Sequence, residues 1–147
     1  MPRIHRSALV HYTAEEMYRL VADVPKYAEF LPWCSGARVL QVEGDEVTAQ
    51  VDIAFKSVKQ SFTTVNKHIE GRQISMSLKD GPFSSLNGVW QFIDLDEQAS
   101  KILFELEFHF SNKLAGAVIG PVFSMIANGM VDAFHRRAVE IYGPRSL

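Results

Sequence analysis

Two carboxylates on one face are the least that general acid and base chemistry needs, and Glu105 and Glu107 offer such a pair in KILFELEFHF, residues 101–110. The strict alternation of that stretch decides their role. Ile102, Phe104, Leu106, Phe108 and Phe110 share one face, and Lys101, Glu105, Glu107 and His109 share the other. The two glutamates are therefore expected as charges on the outer surface of a sheet. His5, His11, His68, His109 and His135 are scattered, without the spacing of a metal site. Cys34 is the single cysteine, which excludes an intrachain disulfide and a multi-cysteine zinc site and leaves a small, buried apolar residue. The chain contains no GxSxG, HExxH, GxGxxG or phosphate-binding glycine loop. We expect no catalytic residues, no metal and no required cofactor.

The elements around these residues follow from periodicity. Residues 46–56, EVTAQVDIAFK, alternate like 101–110, with Val47, Ala49, Val51, Ile53 and Phe55 on one face. Weaker strand patterns cover 3–11, 36–43, 58–68, 72–79 and 86–95, with turn residues at Gly44-Asp45, Gly71 and 96–100. About seven strands, mostly joined as hairpins, are predicted. Thr13 and Glu16 form a capping box, and Met17, Leu20, Val21 and Val24 fall on one helical face, so a helix is predicted over 14–23. VPKYAEFLPWC, residues 24–34, predicts a short second helix with Pro25 in its first turn and Pro32 just past its end.

The third helix begins in KLAGAVIGPVFSMIANGMVDAF, where residues 114–131 carry no charge. Phe123, Ile126, Ala127, Met130, Phe134, Ala138 and Ile141 share one face, opposite Asn128, Asp132, His135, Arg136 and Glu140. Continued backwards, that phase turns Gly116, Ile119 and Gly120 inward and Leu114, Val118 and Met125 outward, although Pro121 could kink the helix. Ser124, Asn128, the glycines and the proline make a poor membrane span. The outward apolar residues are instead expected to touch a membrane surface or a partner.

Seven strands about 4.8 Å apart give a sheet more than about 30 Å wide, which one helix about 10–12 Å across cannot cover. Phe55, Phe62, Met76, Leu78, Trp90, Phe104, Leu106 and Phe108 from the sheet, with Ile119, Phe123, Ile126 and Met130 from the helix, either fill a bulky core or line a hollow able to take an apolar ligand. With 147 residues, 47% hydrophobic and 22% charged, the chain is expected to form one domain over 1–147. A net charge of −2 lacks the basic excess of a DNA-binding or general nucleic-acid-binding protein. Any contact with RNA phosphates would be local, at Lys56, Lys59 and Lys67. MPRIHRSALVHYTAEE has no apolar secretory core, so a cytoplasmic protein is expected.

Three separated stretches carry a resemblance: VPKYAEFLPWC, then GPFSSLNGVWQF at 81–92, then FHFSNKL followed by MVDAFHRRA within 108–138. The chain resembles the START-like coenzyme-Q-binding family of the polyketide cyclase/dehydrase superfamily, in particular the bacterial branch named for the ribosome association toxin RatA. The resemblance implies an α+β helix-grip fold, in which a curved antiparallel sheet wraps a long C-terminal helix and leaves an apolar tunnel. It assigns Pro32, Trp33, Cys34, Gly81, Pro82, Phe83, Leu86 and Gly88 to the family's motifs. It further implies noncatalytic binding of ubiquinone or a similar prenylated lipid in support of respiration, with peripheral contact at the inner membrane. The alternative it implies is binding to the large ribosomal subunit, blocking subunit association, with an antitoxin protein as partner.

Overall fold

The computed structural model describes residues 3–145. Seven strands, β1 (Arg3–Val10), β2 (Cys34–Glu43), β3 (Glu46–Phe55), β4 (Val58–Ile69), β5 (Gln73–Asp80), β6 (Phe83–Asp94) and β7 (Ser100–Phe110), form one open antiparallel sheet in the order β1-β7-β6-β5-β4-β3-β2. Five hairpins link β2 to β7 in succession, while β1 pairs with the last strand, Arg3 standing opposite Glu107. The first two strands thus occupy opposite edges. The chain between Val10 and Cys34 must cross the whole width of the sheet, and it does so through α1 (Ala14–Ala22), a 3-10 turn (Val24–Lys26) and α2 (Tyr27–Phe30).

The capping box forms as the sequence predicts: Glu16 N donates to Thr13 Oγ1 at 3.1 Å and Thr13 N donates to Glu16 Oε1 at 2.9 Å. Pro25 sits in the 3-10 turn, where its fixed φ suits a first turn and no N–H is needed. The strand boundaries move by up to three residues; the largest shift is β6, which starts at Phe83 because Gly81-Pro82 turns the chain directly into the ladder.

The long helix α3 (Lys113–Tyr142) is continuous through Pro121 and opens on an Asn112 cap, whose Oδ1 accepts from Ala115 N at 2.8 Å. Its buried face is not a straight stripe. It runs from Ile119, Phe123 and Ile126 to Val131, Phe134 and Ala138, and leaves Ile141 52% exposed. Ile141 was expected inward on a fixed phase; a straight helix following a twisted sheet instead presents a slowly rotating side to it. Gly116 and Gly120 turn inward as expected, but they leave no empty space over the sheet: a Cβ at Gly116 would lie 3.5 Å from Phe110 Cδ2, and one at Gly120 3.7 Å from Cε2. Phe110 stacks on Phe83 with centroids 5.1 Å apart, and Phe83 and Phe108 both meet Phe123 edge-on, at 4.9 and 4.8 Å. This end of the helix lies on a solid aromatic cluster.

Candidate apolar ligand site

Toward β3, β4 and β5 the sheet curls away from α3, and the space left is a cavity of about 80 Å³. The sheet supplies Phe62, Met76, Trp90, Phe104 and Leu106; α3 supplies Phe123, Ile126, Ala127 and Met130. Val24, Tyr27 and Trp33, from the crossing segment, close one end. The lining holds no carboxylate, histidine, lysine or arginine. Tyr27 donates its hydroxyl to the Val21 carbonyl, and complete burial pushes its phenol far above the usual range. One backbone position admits two of these side chains. A Cβ on Gly88 would meet Met76 Cε at 2.8 Å and Leu106 Cδ1 at 2.9 Å, so the missing side chain lets these two lining residues close over β6.

Eight of the twelve expected hollow residues therefore line the cavity: Phe62, Met76, Trp90, Phe104, Leu106, Phe123, Ile126 and Met130. The other four do not. Phe108 and Ile119 are buried in the solid packing, and Phe55 and Leu78 are half-buried against the core away from the void. Alternation tells which face a residue takes but not where along that face the sheet leaves the helix. Of the motif residues, Trp33 and Leu86 line the cavity and Phe83 belongs to the aromatic cluster. Cys34 is buried, with its thiol pushed up by burial and its Sγ 3.3 Å from the Gly36 carbonyl oxygen. Gly81 takes φ 149°, next to half-buried Pro82, and Pro32 is exposed.

Ala49, Val51, Thr64 and Asn66 also line the cavity and were not expected to. Counting by twos from Phe62 along β4 reaches Thr64 and Asn66, so the register carried the signal; polar residues in a strand are ordinarily read outward.

The chemistry-bearing residues lie elsewhere. Glu105 and Glu107 are on the outer face, with Glu105 3.9 Å from Arg3 Nη2. His68 contacts Tyr18, Nδ1 to hydroxyl 2.8 Å, outside the cavity lining, and desolvation holds its pKa below the ordinary histidine value. Among the described residues no group of three metal-ligating side chains converges. Lys56 sits at the β3–β4 turn with φ 55°, and Lys59 follows three residues later. Lys67 is eight residues further along β4, about 27 Å away, and stands opposite Glu46. The three lysines do not form one patch.

Leu114, Val118 and Met125 are 74%, 54% and 46% exposed. With Ala117 and Pro121 they make an uninterrupted apolar stripe, on the side of α3 opposite its cavity-lining residues. By length and composition α3 could cross a membrane, and only 28% of its most apolar window is buried.

An open antiparallel sheet gripping one long helix over an apolar cavity defines a START-like, helix-grip protein. The chain belongs to the polyketide cyclase / dehydrase and lipid transport family, whose pattern matches residues 10–135. It is 46% identical over 145 residues to the ribosome association toxin RatA of Escherichia coli K12, covering 99% of this chain and 92% of that one. It is 28% identical to the mitochondrial coenzyme Q-binding protein COQ10 homolog B of Xenopus laevis, over 96% of this chain and 59% of that one. A START superfamily protein from Mycobacterium smegmatis superposes with a TM-score of 0.77 at 17% identity, over 92% and 95% of the two chains, and shares the fold.

Proposed function

We propose that this protein is a single START-like domain that binds, without catalysis, an apolar small molecule of the ubiquinone or prenylated-lipid kind between its sheet and α3, in support of respiration. The observation that carries this is the cavity lining: apolar throughout apart from a few polar atoms, and without an acid or base other than the engaged hydroxyl of Tyr27. Such a surface favours desolvating a hydrocarbon and offers nothing to activate a bond. At about 80 Å³ the cavity is smaller than the roughly 300–1,000 Å³ of drug-sized sites. Half-buried Met76 and Met130 are the side chains suited to yield, since methionine repacks at little cost. We place the protein in the cytoplasm, meeting the inner membrane peripherally through Leu114, Val118 and Met125.

Lipids copurifying with the native protein, identified by mass spectrometry, test the proposal. We expect a prenylated quinone or lipid on the unaltered chain and its loss from Ala127→Phe, which fills the cavity from the helix side. The glycines at 116 and 120 are unsuitable for this block because they face Phe110. A protein that carries no apolar ligand, or carries as much in Ala127→Phe, would overturn it.

The 46% identity to RatA favours a second activity on a different surface: binding the large ribosomal subunit, with an antitoxin protein as a partner. Lys56 and Lys59, neighbours at one hairpin end, are then the phosphate contacts, and Lys67 is separate. Cosedimentation with large subunits that is insensitive to salt and to Lys56→Glu/Lys59→Glu would rule out this contact, because phosphate neutralisation releases counterions.

A further inference from the structure

Within the cavity one group is out of place. Asn66 is 6% exposed and lines the void together with Thr64, also 6% exposed. Thr64 Oγ1 donates to Asn66 Oδ1 at 2.8 Å, which fixes the amide so that its oxygen is engaged. Among the described residues no group accepts a hydrogen bond from the amide nitrogen. An amide has two N–H donors that reach the void, and a ligand that displaces water from it without offering an acceptor leaves them unpaired at a cost of about 1–3 kcal/mol. The cavity is large enough for a water molecule there when no ligand is bound, since that takes only about 10–15 Å³.

We propose that Asn66, oriented by Thr64, is the polar anchor of the cavity, donating to an uncharged carbonyl oxygen on an otherwise apolar ligand. This rests on the apolar-ligand reading above and narrows it. Two N–H groups call for an acceptor, so a pure hydrocarbon leaves them unsatisfied. A carboxylate or phosphate would bring a charge to a lining without a single cation, and the desolvation of an unpaired charge far exceeds what one amide returns. The Tyr27 hydroxyl cannot substitute, because its proton is held by the Val21 carbonyl. The ligand class is thus a neutral ketone or quinone bearing an apolar tail, with a carbonyl seated at β4.

Three probes of equal tail length separate the possibilities: decyl benzoquinone, decylbenzene and undecanoate, each titrated against the full chain by quenching or displacement at Trp33 and Trp90. The quinone should bind at least about tenfold more tightly than the other two, a difference of about 1.4 kcal/mol. Asn66→Leu should lower quinone affinity about tenfold while leaving decylbenzene unchanged or tighter. Thr64→Val, which frees the amide to turn, should cost several-fold and shift the infrared carbonyl band of the bound quinone toward that of the free one. If Asn66→Leu does not fold, Thr64→Val carries the test. Equal affinities for quinone and decylbenzene, or a quinone affinity and carbonyl band untouched by these variants, would overturn the anchor while the cavity reading survives. Failure of every probe to bind the unaltered chain, or equal binding to Ala127→Phe, would overturn both.

Discussion

The two halves of α3 each bury one apolar face and differ in what the other face does. In the second half Phe134 and Ala138 are completely buried, and Phe134 meets Tyr27, Phe30 and Trp90 edge-on at 5.5, 5.4 and 5.4 Å. In the first half Ile119 and Phe123 are buried, but Leu114, Val118 and Met125 face outward. The difference lies in the residues opposite the buried stripe. Asp132, Arg136 and Glu140 give the second half a charged solvent face, whereas the first half has no charged side chain between Lys113 and Asp132. The second half is fastened for stability, and the first keeps an apolar surface that folding does not use.

The largest effect should follow from breaking the fastened half. Phe134→Ala removes a ring from the meeting point of α2, α3 and β6 and should cost about 3–5 kcal/mol in urea unfolding. A cost below about 1 kcal/mol would mean that the second half is no better packed than the first. Next, Val118→Asp places a charge on the unused surface. Association with anionic liposomes should fall at least about tenfold, because burying the valine is worth about 1.5 kcal/mol and the charge adds a penalty. Unfolding stability should move by no more than about 0.5 kcal/mol. Unchanged liposome association would remove the membrane-contact proposal.

The smallest effect concerns the end of the fastened half. Arg145 donates to both oxygens of Glu16 at 2.7 and 2.8 Å, and Tyr142 donates to the Glu16 carbonyl at 3.0 Å, so one residue caps α1 and ties down the chain leaving α3. The hydrogen bond from Arg145, ahead of the capping bonds, lowers the Glu16 pKa from 4.5 to about 2. A carboxyl whose folded pKa is depressed adds stability that is fully present above its unfolded pKa and is lost as pH falls through the folded one. That contribution should therefore fade between about pH 4.5 and 2. Glu16→Gln should cost about 1 kcal/mol at neutral pH, the pair being partly solvated, and should flatten the pH dependence in that window. An unaltered acid profile would show that the tie contributes nothing.

What was legible in the sequence follows the same division between local and nonlocal causes. The alternation of β7 predicts Ile102, Phe104, Leu106 and Phe108 inward, and all four are buried. Thr13 and Glu16 announce the start of α1 because a capping box is a contact between residues three apart. Ile141 was misplaced because the side of α3 that meets the sheet is set by the sheet's twist, which no stretch of the helix encodes; Gly116 and Gly120 do turn inward, but the Phe110 ring fills the space over them. Phe104 and Phe108 are indistinguishable by period, yet one lines the void and the other fills the core. Thr64 and Asn66 had the inward register and the wrong polarity for it, and that disagreement is what singles them out for the proposed anchor.

The pairing of the first strand with the last also sets an order of events. Each hairpin from β2 to β7 closes a loop of few residues, so these ladders can zip in succession at small entropic cost. Joining Arg3 to Glu107 must close a loop of nearly the whole sheet before any contact rewards it. Until that loop closes, β7 has a bare edge and the inner aromatic face lacks its rim, so a nascent chain emerging from synthesis holds its first strand in reserve until its last has been made.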